Sequence, residues 1–267
     1  MRGKRLGGRS FSELPEANRR AILDYQFSVH IFPVDTDDRE ILQIFARMNS
    51  TGYKLNQQEL RNAEWYGEFK TLAYELATEQ LNRWRDWRIF NPDQISRMRE
   101  VELTSEFMLL ILHGIMEKNN KDITYFYEKY DAAFPDGPEV ARRLRMTFDT
   151  LEPLLTKDVI ATLFKTKTLF YALFGTIYGL QFGLQEPPAR PYDKHPLDGA
   201  PLRRLRATSM RAGIADQLKR AATDLKSGNA PPEVVREGRG ASSDASQRKL
   251  IIGHLAGKDD DPCRHLN

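Results

Sequence analysis

Residues 44–63 read IFARMNSTGYKLNQQELRNA and predict two helices joined by a short turn. Before the turn, apolar residues recur at the i, i+3, i+4 and i+7 spacing of one helix face: Ile41, Ile44, Phe45 and Met48. Gly52 is suited to end this helix, because glycine readily adopts the left-handed conformation that follows a helix. Asn56 is a good cap for the next helix, and Glu59 completes a capping box. The stretch therefore favours a helical fold.

Similar periodicity extends the helical prediction over most of the chain. Further helices are expected at residues 16–23, 69–84, 101–117, 123–130, 139–155, 166–180, 203–226 and 246–255. Repeated prolines indicate a connection at residues 186–201, and Gly, Pro and Ser indicate a mobile segment at residues 227–247. Four segments follow: 1–66 with the helix–turn–helix, a helical domain over 67–185, the proline-rich connection over 186–201, and a basic helix with a mobile tail over 202–267.

One strand is predicted, at residues 25–32, where apolar residues alternate with period two: Tyr25, Phe27, Val29 and Ile31. A lone strand is unstable because its backbone groups need a partner strand. Either other strands are missing from this sequence or another chain supplies them. The fold class predicted is mainly α, a helical domain preceded by a short, incomplete α+β segment.

Composition narrows the classes of protein that the chain can belong to. The 267 residues are 40% hydrophobic and carry a formal net charge of only +3, which leaves DNA contact open without indicating a dedicated nucleic-acid domain. The single cysteine, Cys263, excludes an internal disulfide and fits a reducing cytoplasm. No apolar signal segment follows the basic N-terminus. Residues 168–184 are uncharged but short for a membrane span, so a buried helix is preferred.

Polar residues are concentrated in the corner formed by residues 44–63, and two readings of them stay open. In the structural reading, which elementary physics favours, Asn56 and Glu59 are caps, and Arg61 is solvated or pairs with Glu64. In the functional reading, Arg47 and Arg61 bind a phosphate, because a guanidinium matches phosphate with two parallel hydrogen bonds. The candidate phosphate- or partner-contacting residues are Arg47, Asn49, Thr51, Gly52, Asn56, Gln58, Glu59 and Arg61.

The pattern Ile-Phe-x-Arg-x-Asn-x-Thr-Gly-x-x-Leu-Asn-x-Gln-Glu-Leu-Arg-Asn-Ala resembles the signature in the N-terminal domains of GmrSD-type (type IV) restriction endonucleases. The preceding segment, from Phe11 to Tyr25, resembles the run that leads into that signature. The resemblance implies a ParB-like domain, defence against phage DNA, and nucleotide hydrolysis associated with an Asp-Gly-Gln-Gln-Arg motif. Neither that motif nor the His-Asn-His nuclease motif of the companion domain occurs in this sequence.

The remaining polar groups are interpreted structurally. An acidic run at residues 35–40 marks a helix start, and the tail around Cys263 and His265 lacks the spacing of metal ligands, so no metal site is expected. His113 is expected in the core. Arginine groups at residues 83–88, 97–99, 142–145 and 203–211 could contact DNA, but the 37 acidic residues can balance the 40 basic ones.

These observations predict a subunit, fragment or remnant of a type IV restriction-like defence protein that lacks catalysis of its own. A nucleotide and a divalent metal are expected only with a partner that carries the catalytic half. Substitution of Arg47 and Arg61 by alanine is expected to weaken association with that half. The alternatives are a non-enzymatic DNA-binding module, a protein-interaction module that uses an open strand edge, and an inactive gene product.

Overall fold

In the computed structural model, the described residues are 10–27, 29, 31, 33, 36, 37, 41, 44, 54–184, 197, 208–239 and 244–257. The chain divides into two compact units, Met1–Lys54 and Leu55–Asn267. The first contains a short 3-10 helix, Phe11–Glu13, and the predicted helix α1, Glu16–Leu23. Ile41 and Ile44 are also helical, whereas Phe45 and Met48 lie outside the described residues.

In the second unit, all regular secondary structure among the described residues is helical. The bounds of the helices are α2 Gln57–Glu64, α3 Glu68–Glu79, α4 Leu81–Asp86, α5 Pro92–Ile95, α6 Arg99–His113, α7 Asn120–Lys129, α8 Gly137–Leu154, α9 Lys157–Leu163, α10 Lys167–Phe182, α11 Thr208–Ser227, α12 Pro232–Arg239 and α13 Ala245–Leu255. The prediction of a mainly α fold is confirmed. Residues 186–196 and 198–201 of the predicted connection lie outside the described residues.

The predicted strand at residues 25–32 does not form in the chain alone, since none of its described residues belongs to a strand. Ser28, His30 and Phe32 lie outside the described residues. No described residue elsewhere forms a strand that could pair with this segment, and alternation alone cannot satisfy its backbone groups. The α+β part of the predicted fold is therefore not observed among the described residues.

Helix α6 lies at the centre of the second unit and packs against α3, α7, α8 and α10. All of its residues from Glu100 to His113 are buried. Aromatic side chains surround its apolar surface, and the Phe107 and Phe174 rings stack at a centroid distance of 4.0 Å. The other members of this aromatic core are Trp84, Trp87, Phe148 and Phe170. Ring contacts of this kind add to the stabilisation from burial itself.

Helix α10 runs beside α6 in the same direction. Phe107 of α6 contacts Tyr171 and Phe174 of α10, and Leu110 approaches Gly175 one turn further along both helices. The N-termini of the two helices therefore lie at the same end of the unit. The preference for a buried helix over residues 168–184 is confirmed, since α10 is largely buried. Among the described residues, no helix combines the length and the apolar character needed to cross a membrane.

Helix α12 corrects the prediction of a mobile segment at residues 227–247. Pro232–Arg239 is helical, and Val234 is buried against the last helix, α13. The flanking Gly, Pro and Ser residues suggested a break, but Pro232 stands at the first helical position, where its missing amide hydrogen costs nothing. Tertiary packing of Val234 then stabilises a helix too short to persist alone.

Candidate functional site

Half of the predicted site residues lie in the described structure. Arg47, Asn49, Thr51 and Gly52 are outside the described residues. Asn56, Gln58, Glu59 and Arg61 all belong to α2 or to its N-cap. The structure brings these four into contact with α6, α7 and the turn before α6. Contact of the eight residues with a phosphate or a partner stays a prediction.

Asn56 and Glu59 form the predicted capping box. The Asn56 side-chain oxygen accepts hydrogen bonds from the Gln58 and Glu59 amides at 2.8 and 3.1 Å, and Glu59 accepts from the Asn56 amide at 2.6 Å. Asn56 also donates to the Arg97 carbonyl at 2.9 Å, and the Arg97 guanidinium bonds Glu59 at 2.8 Å. The hydrogen bond from Arg97 holds the pKa of Glu59 below its usual value. The cap therefore fixes α2 to the turn that precedes α6.

A chain of buried hydrogen bonds continues from α2 into α6. Arg61 Nε donates to Gln58 Oε1 at 3.1 Å, and Gln58 Nε2 donates to the Tyr127 hydroxyl at 2.8 Å. Ser105 Oγ lies 3.1 Å from the Tyr127 hydroxyl and donates to the Val101 carbonyl at 2.9 Å. Because the Ser105 proton is used on Val101, Tyr127 is the donor to Ser105. All four bonds then run in one direction, and the Tyr127 and Ser105 hydroxyls each accept one hydrogen bond and donate another.

Arg61 is buried, which corrects the expectation of a solvated side chain or a pair with Glu64. Only 1% of Arg61 is exposed, and its Nη1 donates to Asn120 over a long 3.4 Å. Its Nη2 makes no hydrogen bond with any described residue, and the carboxylate oxygen that it approaches, on Glu102, is 3.9 Å away. Burial lowers the pKa of Arg61. A guanidinium nevertheless stays charged in proteins, so α2 places a poorly compensated positive charge inside the unit.

Helix α6 supplies the acids closest to that charge. Glu102 bonds Arg99 at 3.0 Å and lies 3.7 Å from Lys118. Glu106 lies 2.9 Å from Lys118 and also pairs with Arg248 of α13. We call this group the α6 charge cluster. Its members are Arg61, Arg99, Glu102, Glu106, Lys118, Lys167 and Arg248.

Lys167, the first residue of α10, joins the cluster through its charge. Its ammonium group interacts electrostatically with Glu102, Lys118 and Arg99, and burial lowers the pKa of Lys167. Burial alone would raise the pKa of Glu102, but Lys118, Arg99 and Arg61 outweigh that effect and hold it below its usual value. The cluster therefore keeps a nearly buried carboxylate ionised.

Glu100, at the start of α6, behaves differently from Glu102. Only 7% of Glu100 is exposed, and burial raises the pKa of its carboxyl group to about 7, although the charge of Lys167 opposes the rise. Its Oε2 has no hydrogen-bond partner among the described residues. Glu100 therefore carries only a partial negative charge at neutral pH.

The arginine groups singled out as DNA-contact candidates are mostly paired with acids where the structure describes them. Arg83 bonds Asp149 and Glu152 at 2.8 and 2.7 Å, and Arg145 pairs with Glu79 at 2.6 Å. Two more pairs join Arg142 and Arg143 to Glu139. Arg203, Arg204 and Arg206 lie outside the described residues. These pairs are the balanced faces that the structural interpretation expects.

No group of described residues has the acidic, His or Cys side chains to hold a metal ion. Asp35, Asp38 and Glu40 of the acidic run, and Cys263 and His265 of the tail, lie outside the described residues. His113 is fully buried and packs on Phe126 at a ring distance of 4.6 Å, which confirms its expected place in the core.

Sequence reasoning missed most of the α6 charge cluster. A signal was present, since Glu102 and Glu106 stand four residues apart on a helix rich in apolar residues, and buried glutamates need partners. The cations come from α2, α6 itself, the turn after α6, α10 and α13, so sequence spacing could not identify them as a group. Fold and site define a helical protein with a basic buried cluster. No family model matches the chain, and no curated protein or solved structure matches it either.

Proposed function

We propose that this chain is a helical, non-autonomous part of a type IV restriction-like defence protein that acts on phage DNA. Catalysis then belongs to a ParB-like segment or partner that carries Asp-Gly-Gln-Gln-Arg, with nucleotide and metal bound there. The signature at residues 44–63 supports the family. Its second half supports a positioning role, because Asn56, Gln58 and Arg61 fasten α2 to the helical unit.

The exposed apolar residues at the end of the first unit support the need for a partner. The alternating apolar residues of the first unit are all solvent-exposed, with Tyr25 at 65%, Phe27 at 81%, Val29 at 73% and Ile31 at 90%. Four large apolar side chains in period-two alternation fit one face of a strand. Leaving them in water is unfavourable, at roughly 25 cal/mol per Å² of apolar area. A sheet edge on the catalytic segment would cover that face and pair the backbone.

The test measures association with the catalytic segment. Purified proteins or preceding segments from the same cells that carry Asp-Gly-Gln-Gln-Arg are titrated with the chain by calorimetry, and nucleotide hydrolysis is followed in the mixture. Phe27→Asp and Ile31→Asp each place a charge among the alternating apolar residues and are expected to weaken association at least tenfold. Gln26→Asp is the matched control, because Gln26 is exposed and alternates with the apolar residues instead of belonging to them.

Arg61 is unsuitable for this test, since its substitution alters the buried hydrogen bonds of the helical unit. Absence of association with every such segment, or equal weakening by Gln26→Asp, contradicts the proposal. The DNA-binding alternative predicts instead that the chain alone binds duplex DNA with an affinity that falls steeply as salt rises.

A further inference from the structure

The charges of the α6 charge cluster do not balance. Five cationic side chains face two carboxylates that are held ionised or ion-paired, Glu102 and Glu106. The cations are Arg61, Arg99, Lys118, Lys167 and Arg248. Glu100, whose pKa is about 7, is only partly ionised at neutral pH and offsets only part of the difference. Like charges collected in a poorly solvated place repel one another, so the excess needs an explanation.

The backbone adds to the same positive potential. Helix α6 begins after Met98, which has a left-handed φ of 56° and supplies no side-chain cap. Helix α10 begins at Lys167 on the same end of the unit. The start of a helix carries roughly half a positive charge from its aligned peptide dipoles. Two parallel helices thus direct their positive ends towards one group of cations.

Arg61 is the buried donor of this cluster, and its Nη2 lacks a hydrogen-bond acceptor among the described residues. Its side chain is 2% exposed, and Nη2 faces Glu102 at 3.9 Å without a hydrogen bond to a described residue. A buried donor without an acceptor costs about 1–3 kcal/mol. The Glu102 carboxylate lies among Arg61, Arg99 and Lys118 at 3.9, 3.0 and 3.7 Å, and an anion bound beside it would supply that acceptor.

We propose that the α6 charge cluster binds a phosphate group. Arg99 and Lys118 are the accessible ligands, with side chains 35% and 30% exposed, and Lys167 adds charge from the start of α10. Arg61 is the buried donor, and Arg248 pairs with the Glu106 carboxylate oxygen that Lys118 does not contact. A phosphate dianion would offset most of the charge excess, and its oxygens suit guanidinium and ammonium donors. The group belongs either to a free phosphate compound or to a nucleic-acid backbone.

The experiment uses the complete chain without any partner, so its result is independent of the association test. Inorganic phosphate and pyrophosphate are titrated by calorimetry at constant ionic strength, with chloride replaced. We expect saturable binding at one site. Lys118→Gln, Lys167→Gln and Arg99→Gln each remove one positive charge and are expected to weaken binding about tenfold, equivalent to about 1.4 kcal/mol.

Arg145→Gln is the matched control, because Arg145 is a surface arginine paired with Glu79 outside the cluster. Thermal melts establish that each variant is folded before titration. Binding that does not saturate, or that is equal in wild type and in all three cluster variants, overturns the proposal. A short DNA duplex is then added as a competitor. Displacement of pyrophosphate assigns the site to the nucleic-acid backbone, and its persistence assigns the site to a free phosphate compound.

Discussion

The side-chain amide of Gln58 donates a 2.8 Å hydrogen bond to the hydroxyl of Tyr127, 69 residues away, and both side chains are buried. The bond joins α2, which carries half of the signature, to α7. Since the Tyr127 hydroxyl donates a hydrogen bond to Ser105, the contact also connects α2 to the central helix α6. A residue placed by sequence among phosphate ligands thus belongs to the interior of the helical unit.

Replacing Tyr127 by phenylalanine tests this chain of hydrogen bonds. The hydroxyl is lost while the ring stays, so Gln58 keeps a buried donor without an acceptor. We expect the free energy of unfolding to fall by about 1–3 kcal/mol, measured by urea denaturation. Tyr74→Phe, at a 48% exposed tyrosine, should change it little. Equal stability of Tyr127→Phe and wild type would show that these hydrogen bonds contribute nothing to the free energy of unfolding.

Asn56→Ala removes the cap of α2 together with its bond to the Arg97 carbonyl. Loss of an N-cap costs about 0.5–2 kcal/mol, and the added tertiary bond places this substitution at the upper end. The comparison is Asn91→Ala, which removes a capping box from the four-residue helix α5. A larger loss for Asn91→Ala in chemical denaturation would argue against a role for Asn56 in fastening α2.

Gly67 stands where the start of α3 meets the end of α7. A Cβ atom placed there would lie 1.9 Å from the Asp131 carbonyl oxygen, which accepts from the Glu68 amide at 3.2 Å. Gly67→Ala must therefore push the two helices apart, and overpacking of this kind costs about 1–3 kcal/mol. Gly213→Ala is the control, since a Cβ there meets nothing within 4 Å. A lower melting temperature is expected only for Gly67→Ala.

Glu100 gives stability a pH dependence of known sign. Its pKa is about 7 in the folded protein and 4.5 as the ordinary value, so the folded state holds a proton that the unfolded state has released. The free energy of unfolding then falls as pH rises from about 4.5 to about 7. The full effect is about 3 kcal/mol. Glu100→Gln should be more stable than wild type at pH 8, and close to it at pH 4.5.

Denaturation curves of Glu100→Gln and wild type at both pH values check this expectation. The exposed Glu75 offers a control in Glu75→Gln. A stability difference between Glu100→Gln and wild type that is the same at both pH values would remove Glu100 as the titrating group.

The sequence predicted the helices well because their signals are local. Asn56 and Glu59 mark the start of α2, and the uncharged, largely apolar run around Phe174 indicates a buried α10. The strand at residues 25–32 does not form in the chain alone because a strand depends on a long-range partner and not on a local signal. Alternation at Tyr25 and Phe27 describes a face but does not create the second strand on which pairing depends.

The candidate site was less predictable because burial is decided by tertiary contacts. The polarity of Arg61 suggests a surface residue, yet it is buried beside α6 and α7, and Tyr127 of α7 accepts a hydrogen bond from Gln58, its partner on α2. The sequence does not single out Lys118 and Lys167, and they become significant only because the turn after α6 and the start of α10 place them near Glu102. Long-range charge clusters of this kind have no fixed spacing.

The need for a partner strand is tested most directly by hydrogen exchange at the backbone amides of residues 25–31. Exchange is measured for the chain alone and after mixing with a segment that carries Asp-Gly-Gln-Gln-Arg. The proposal predicts slowed exchange at alternate amides of this segment in the mixture, because a new strand ladder protects them. Unchanged exchange there, in a mixture where the two components are bound, would contradict it.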